Sequence, residues 1–450
     1  MNILLVYPSR LGANQKPLKY KKAFLPPLSL ALLNGLTPAS HNVHVVNDIV
    51  EDIDFSVAYD LVGITAMTTQ IQRAYQIADA FRNRGVKVVI GGIHPTVLPD
   101  EAKQHADSVV IGEADNLWEQ ILSDCSRNTL KAFYKDDTSP DLKQLVLPKW
   151  DNINMNIYPK NIGAKLPLMP IYTTRGCPMG CQFCSVTKYF GKKYRMRPIA
   201  NVLEEVKQVG SRIYFFVDDN IVCNPDYSRE LFRSLKGKGI HWFSQISSTV
   251  LKNPDLIELA SAAGCDSLLV GLESISESSL KSVNKGFNIV ERYEELIARM
   301  KKARVIPFLT FIFGFDEDTP ELFETTYEFL IRNRVPYAIF SILTPLPGTD
   351  IYNRLKNEGR ILDHDWSKYE LTNVVFQPKN FSKQELLDYY WNCSRKFYSI
   401  KNIIMNVYQS VKIAHNPFME LFESSFFQVY FRKRIYSYDH PISGGIDLIE

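Results

Sequence analysis

The order of apolar runs constrains this 450-residue chain more than any other feature. Five short stretches rich in Val, Ile, Leu and Phe precede residue 125, six more lie between 168 and 360, and helix-length segments separate them. Continuous apolar strands joined by helices argue for parallel sheets covered on both faces. The first set is Asn2–Tyr7, Val43–Asn47, Leu61–Ala66, Val86–Gly91 and Ser108–Ile111, with helical stretches at Pro27–Leu36, Thr69–Asn83 and Glu113–Leu122. It predicts a doubly wound, Rossmann-like domain over residues 1–125, a fold that binds ligands beyond the carboxyl ends of its strands. The second set is Met169–Thr174, Arg212–Val217, Trp242–Ser247, Ser267–Leu272, Phe308–Gly314 and Ala338–Thr344. Six consecutive βα units predict a partial (β/α)6 barrel over 168–360, with its site at the strand tips. The overall class is therefore α/β.

Two stretches stand apart. Residues 126–167 turn polar and proline-containing and read as a linker, with Trp150 and Tyr158 expected to pin it to the second domain. Residues 361–450 read as a mostly helical extension, with helices at Lys383–Ser399 and Ile400–Val411 and fourteen aromatics between Leu386 and His440. It is expected as a helical cap on the barrel mouth, or else as an amphipathic surface for a lipid-like substrate or a membrane face.

A net charge of +3 is too small to imply a nucleic-acid partner. No apolar run reaches the ~18–20 residues that span a bilayer. The Met1–Tyr7 stretch lacks a basic leader and reads as a first core strand, so a cytoplasmic location is expected, where thiols stay reduced.

Three of the seven cysteines fall in one loop, Cys177, Cys181 and Cys184, spaced C-x3-C-x2-C directly after a predicted strand. Gly176, Pro178 and Gly180 let that backbone curl around a metal centre. Zinc motifs more often come as two pairs, and no fourth ligand is evident: Cys125, Cys223, Cys265 and Cys393 lie far apart and read as ordinary buried or half-buried thiols. Three thiolates leave one iron of a four-iron, four-sulfur cluster open to bind a small molecule.

This spacing, with the aromatic Phe183 before the third cysteine, resembles the signature of the radical S-adenosylmethionine (SAM) enzymes. The resemblance implies that the open iron chelates SAM and that the reduced cluster cleaves it to a 5′-deoxyadenosyl radical. A five-strand domain ahead of the motif resembles the cobalamin-binding module of the cobalamin-dependent branch. There the Gly91-Gly92 turn and the threonines Thr65, Thr68 and Thr69 would line the nucleotide-tail pocket. Taken alone, the glycine pair reads first as a tight turn. The Asp-x-His-x-x-Gly loop of methionine-synthase-type modules is missing, since Pro8–Pro17 holds no histidine. His94 reads as a turn residue rather than a replacement cobalt ligand.

The barrel tips carry the remaining candidates. Asp218 or Asp219 would meet the SAM amino group, although a helix cap, with Asn220 suited to it, is an equal alternative. Gln245 and Ser247 resemble residues that touch SAM ribose or carboxylate, and Glu273 is placed to accept from ribose hydroxyls. Ile312 and Gly314 on the fifth strand, and Thr344 and Pro345 on the sixth, would flank adenine. Arg175 either supports the cluster or ties down the loop. Tyr189 and the 192–195 stretch read as a solvated helix, with a positive mouth for an anionic substrate as the alternative. No side chain is singled out as a catalytic acid or base.

The resulting expectation is a radical SAM enzyme that functionalises an unactivated carbon, by cobalamin-dependent C-methylation. Cyclisation, carbon–carbon coupling or rearrangement is the alternative within the class, and a cobalamin- or SAM-binding regulator without turnover the alternative outside it. The implied partners are a small-molecule or lipid-like substrate and a reductant such as flavodoxin or ferredoxin.

Overall fold

A six-stranded parallel sheet opens the chain in the computed structural model, which describes residues 1–144, 146–160 and 165–449. Its strands are β1 (Asn2–Tyr7), β2 (Asn42–Asn47), β3 (Leu61–Thr65), β4 (Lys87–Gly91), β5 (Ser108–Ile111) and β6 (Phe133–Lys135). They lie in the order β2-β1-β3-β4-β5-β6. Strand order reverses between β1 and β3, which makes their carboxyl ends the switch point where such sheets bind ligands. Ile3 and Leu5 pack into the core on one face, Leu4 and Val6 into the core on the other, as the period of two requires.

The first sheet runs past the expected boundary at residue 125. β6 escaped notice because it is three residues long and only its Tyr134 is buried. The stretch after it also attaches differently from expectation. Tyr158 accepts from Asn47 Nδ2 at 3.0 Å and sits in the first sheet's core, not the second. Lys149 N donates to Ala31 O and Asn34 Nδ2 donates to Lys149 O, while Trp150 touches both cores.

The second sheet comprises β7 (Met169–Ile171), β8 (Ile213–Phe216), β9 (His241–Ile246), β10 (Cys265–Glu273), β11 (Ile306–Phe313) and β12 (Tyr337–Ile342). All are parallel and ordered as in the sequence, so the sheet is an open partial barrel with β7 and β12 at its edges.

An open edge presents unpaired carbonyls, and the tail answers that need. Tyr390 donates to Phe340 O (3.3 Å), Tyr398 to Ala338 O (2.7 Å) and Gln428 Nε2 to Pro336 O (2.7 Å). The tail therefore covers the β12 edge rather than the barrel mouth. Its helices are Lys383–Phe397, Ile400–Ile413 and Pro417–Tyr436, and its last strand, Gly445–Leu448, pairs antiparallel with Tyr20–Ala23. Among the described residues no helix is long and apolar enough to cross a membrane.

The two sheets meet at their carboxyl ends. The short helix Ile93–Val97 after β4 packs against Val186–Tyr189, which follows the cysteine loop. Gly348, beyond β12, lies so near Val97 that an added Cβ would come within 2.7 Å of its Cγ1.

Candidate functional site

The cysteine loop leaves the β7 tip with a fixed curl. Gly176 has φ +90°, and a Cβ there would collide with the Lys193 carbonyl oxygen, so glycine is required. Distant segments hold the loop: Gln182 N donates to Val283 O (3.1 Å), Asn284 Nδ2 to Gly180 O (2.8 Å) and Ile351 N to Gln182 O (3.1 Å).

Cys177, Cys181 and Cys184 are free thiols at the partly exposed inner face of this loop. Burial pushes all three upward, Cys184 to about 12, while Lys285 pulls Cys177 and Cys181 back down. Among the described residues no three His, Cys, Asp or Glu side chains converge as a single ion would demand. One ion draws thiolates to about 2.3 Å of one point. A cluster instead takes one thiolate per iron, and three thiols on a glycine-curled loop fit that donor set.

Lys285 is the residue that sequence reading missed. Its Nζ lies 2.6 Å from Glu273 Oε1, and the side chains are 9% and 10% exposed. It also stands 5.6 Å from the centroid of Phe183, inside the cysteine motif. Burial lowers its ammonium, but Glu273 and the thiols of Cys181 and Cys184 more than offset this and hold it charged. Glu273 reaches this partner through a left-handed backbone (φ +63°) at a register shift in β10, a strained conformation for a non-glycine residue. The carboxylate is thus engaged by Lys285, with Thr310 Oγ1 donating at 3.3 Å. No local signal marked Lys285, which sits in an Asn-Lys-Gly turn that reads as surface.

The neighbouring acids divide by role. Asp218 is fully buried and accepts from Thr173 N (3.0 Å), Thr173 Oγ1 (2.7 Å) and Thr174 Oγ1 (2.5 Å), so it braces the β7 exit instead of facing the site. Asp219 has no hydrogen-bond or ion-pair partner among the described residues. Burial, then the adjacent Asp218, push it to about 7, and its charge is felt at Cys177 and Cys184.

Asn220 is not a helix cap, the role Asn224 takes for the next helix. It bridges to β9 by donating to Ser247 Oγ (3.0 Å) and accepting from Ser247 N (3.1 Å). Ser247 is thereby occupied, whereas the half-buried Gln245 side chain has no partner among the described residues.

On the far side, Ile312 is half-buried and Gly314 has φ +106°, its N donating to Asp318 Oδ2 at 2.8 Å. Thr344 and Pro345 are buried, and Thr344 Oγ1 donates to Ile342 O.

Arg175, two residues before the first cysteine, ties the loop to the first sheet. Its guanidinium meets Glu113 Oε2 (2.5 Å) and Asp115 Oδ2 (2.9 Å), both just beyond β5. Arg195 joins Glu113 from the other side at 2.6 Å. The side chains of Arg175, Glu113 and Arg195 are all under 10% exposed. Arg195 is thus buried and not part of a solvated helix, though Lys192 and Lys193 are exposed.

At the switch point of the first sheet, Thr65 and Thr69 are half-exposed and their hydroxyls have no hydrogen-bond partner among the described residues. A Cβ on Gly91 would meet nothing nearer than Val110 Cβ at 3.4 Å, which leaves that tip open to a ligand. These features fit a cobalamin tail. Three other residues make contacts within the fold. Gly92 (φ +107°) packs on the Ala66 backbone, and Thr68 lies 3.3 Å from His94 Nδ1. The other ring nitrogen of the buried His94 meets Glu101 at 3.1 Å, so neither is free for cobalt.

A glycine-curled three-cysteine loop at the tips of an open parallel barrel, faced by the switch point of a doubly wound sheet, defines a two-cofactor radical enzyme. Residues 171–330 match the radical SAM superfamily, 25–122 the B12 binding domain, and 349–429 a domain of unknown function. The bacteriochlorophyllide d C-12(1)-methyltransferase of Chlorobaculum tepidum is 35% identical over 83% of this chain and 82% of its own length. The C-8(2)-methyltransferase from the same organism is also 35% identical, over 82% and 83%. The cobalamin- and SAM-bound OxsB structure superimposes with a TM-score of 0.64 at 14% identity, over 96% of this chain and 73% of that one. The chain belongs to the radical SAM superfamily, in the branch that carries a cobalamin-binding domain.

Proposed function

We propose that the chain methylates an unactivated carbon of an apolar, carbon-rich acceptor. When bound, the cluster, SAM and cobalamin supply a carbon-centred radical and a methyl group. Cys177, Cys181 and Cys184 hold the cluster. Asp219 and Gln245, tip side chains without partners among the described residues, receive the polar groups of SAM, and Ile312 with the Thr344–Pro345 segment flanks its adenine. Thr65, Thr69 and Gly91 receive the cobalamin tail. The observation that carries this reading is the buried Arg175–Glu113–Asp115 contact, which sets the cluster loop against the cobalamin-type sheet. The methyltransferase names of the 35% relatives support the outcome, and a cyclic tetrapyrrole bearing alkyl side chains is the first acceptor to offer. A cytoplasmic location with a flavodoxin or ferredoxin as electron donor belongs to the same proposal, since thiols stay reduced there.

The test is anaerobic reconstitution with iron, sulfide and hydroxocobalamin, followed by SAM, reductant and acceptor. Formation of 5′-deoxyadenosine together with an acceptor one methylene heavier is expected. Cleavage of SAM with a product of unchanged carbon count would replace methylation by cyclisation or rearrangement, chemistry that fits the 26%-identical magnesium-protoporphyrin ester cyclase of Rubrivivax gelatinosus. Absence of any cobalamin spectrum would sink methyl transfer.

A further inference from the structure

The Ile400–Ile413 and Pro417–Tyr436 helices pack side by side with their polarity inverted as far as Ser410 on the first and Gln428 on the second; beyond these, Ile413, Tyr430, Phe431 and Ile435 join the core. Asn406, Gln409, Ser410, Ser424 and Gln428 are all buried. Asn406 Nδ2 donates to Gln428 Oε1 (3.4 Å), the Ser410 hydroxyl donates to Glu420, and Gln428 anchors the pair to Pro336 O on the barrel edge. The outward side is apolar: Ile400, Ile404 and Tyr408 are 65, 68 and 58% exposed, and Phe418, Phe422 and Val429 are 69, 50 and 59% exposed. Positions 400, 404 and 408 follow the four-residue spacing of one helical stripe, and 418 and 422 continue it on the neighbour. A water-facing helix pair shows the reverse distribution, with apolar residues inward. Hydrogen-bonded polar side chains between helices and apolar residues outside are the arrangement of helices solvated by lipid.

Charge decides which occupant suits this face. Lys401 and Lys412 are exposed on the outward side of the first helix and have no acidic partner among the described residues, and Lys433, paired with Asp447 at 3.3 Å, is 69% exposed on the second. Arg432 is half-buried and adds a fourth positive charge beside them, Arg434 is buried against Asp439, and Glu420 is turned inward to Ser410. Long lysine stems can lie along apolar surface while their ammonium groups reach headgroup phosphates. A second copy across a twofold axis would instead oppose the same lysines. Neither helix is long and apolar enough to cross a membrane.

We propose that this face lies in the headgroup–acyl boundary of an anionic lipid bilayer, with Ile404, Tyr408, Phe418 and Phe422 inserted. The barrel and the cobalamin-type sheet then stand on the membrane and can draw an apolar acceptor from it. The attachment uses no residue of the cluster or SAM site and stands whether or not methylation is the reaction.

The experiment is co-sedimentation of the full chain with phosphatidylcholine vesicles with and without phosphatidylglycerol, at low and high salt. Binding to the anionic vesicles, weakened by salt, is expected. Lys401→Glu with Lys412→Glu should weaken it about tenfold or more, and Ile404→Ser with Phe422→Ser should abolish it at every salt. Far-UV circular dichroism, iron content and vesicle-free SAM cleavage should stay at wild-type values. If the serine variant unfolds, Tyr408→Trp supplies the readout: its emission should be quenched by brominated lipid. Failure of the wild-type chain to bind anionic vesicles overturns the proposal, as does unquenched Tyr408→Trp. A vesicle-indifferent dimer that the serine variant dissociates would assign the face to a second copy.

Discussion

Replacing Lys285 by methionine tests how the cysteine loop is held and charged. The substitution strands the Glu273 carboxylate, 10% exposed, with only Thr310 Oγ1 at 3.3 Å. Breaking a buried pair in this way costs about 3–5 kcal/mol, and the surviving hydroxyl places the expected loss near about 3 kcal/mol. Adding Glu273→Gln removes the orphaned charge at similar volume, so the double variant should recover to within about 1 kcal/mol of wild type. Adding the second substitution should therefore restore about 2 kcal/mol.

A second readout separates this from chemistry at the thiols. Lys285 lowers the thiols of Cys177 and Cys181, whereas burial raises them. Without it both stay protonated to higher pH, and metal capture requires thiolate. Both the single and the double variant should therefore take up iron only at higher pH than wild type. Urea unfolding followed by circular dichroism measures the first effect, and iron per chain across pH measures the second. A double variant no more stable than the single one would refute the pairing argument. Wild-type iron uptake at every pH in both variants would refute the electrostatic one.

Three further outcomes follow from the same geometry. Asp219 rises from 3.8 to about 7 in the fold, so the unfolded chain releases that proton first and stability falls as pH climbs from about 4 to 7. Asp219→Asn should flatten the thermal-melting profile over that window in the SAM-free protein and weaken SAM binding by calorimetry. Glu113→Ala leaves Arg195 without its carboxylate and Arg175 with Asp115 alone, and should cost about 3 kcal/mol, read as faster amide exchange around residues 190–196. Gly176→Ala cannot adopt φ +90° without meeting Lys193 O, so iron binding should be lost while cobalamin absorbance is retained.

Regular features of the fold were legible because each is a run. The eleven expected strands all occur, and the C-x3-C-x2-C loop declares itself within eight residues. What stayed hidden depends on partners distant in sequence. Glu113 and Arg175 are 62 residues apart, Glu113 and Arg195 are 82 apart, and neither carries a local sign that it is buried. Asp218 and Asp219 look alike as adjacent letters, and only the β7 exit, folding Thr173 and Thr174 over one of them, gives the two different tasks. The Tyr20–Ala23 and Gly445–Leu448 pair shows neither alternation nor length, since each strand needs the other end of the chain. Aromatic density in the tail was visible, but which aromatics face outward depends on the β12 edge taking Tyr390, Tyr398 and Gln428.

The buried ion network is best understood as registration of one sheet on the other. Two parallel sheets that meet tip to tip have no shared strand to fix their spacing, and loops alone leave it soft. Here the backbone that carries Cys177 begins at Arg175, whose guanidinium is fixed to both carboxylates beyond β5 and whose face lies 4.6 Å from the centroid of Tyr172. A planar, permanently charged group with five donors can make such a forked contact, and lysine cannot. Replacing the whole cluster by apolar residues would leave the interface as dry but would lose its register, because apolar contacts are not directional. The charges at this interface give position: Glu113 and Asp115 hold Arg175 in one direction, which the packing of Ile93–Val97 on Val186–Tyr189 and of Gly348 on Val97 does not by itself specify.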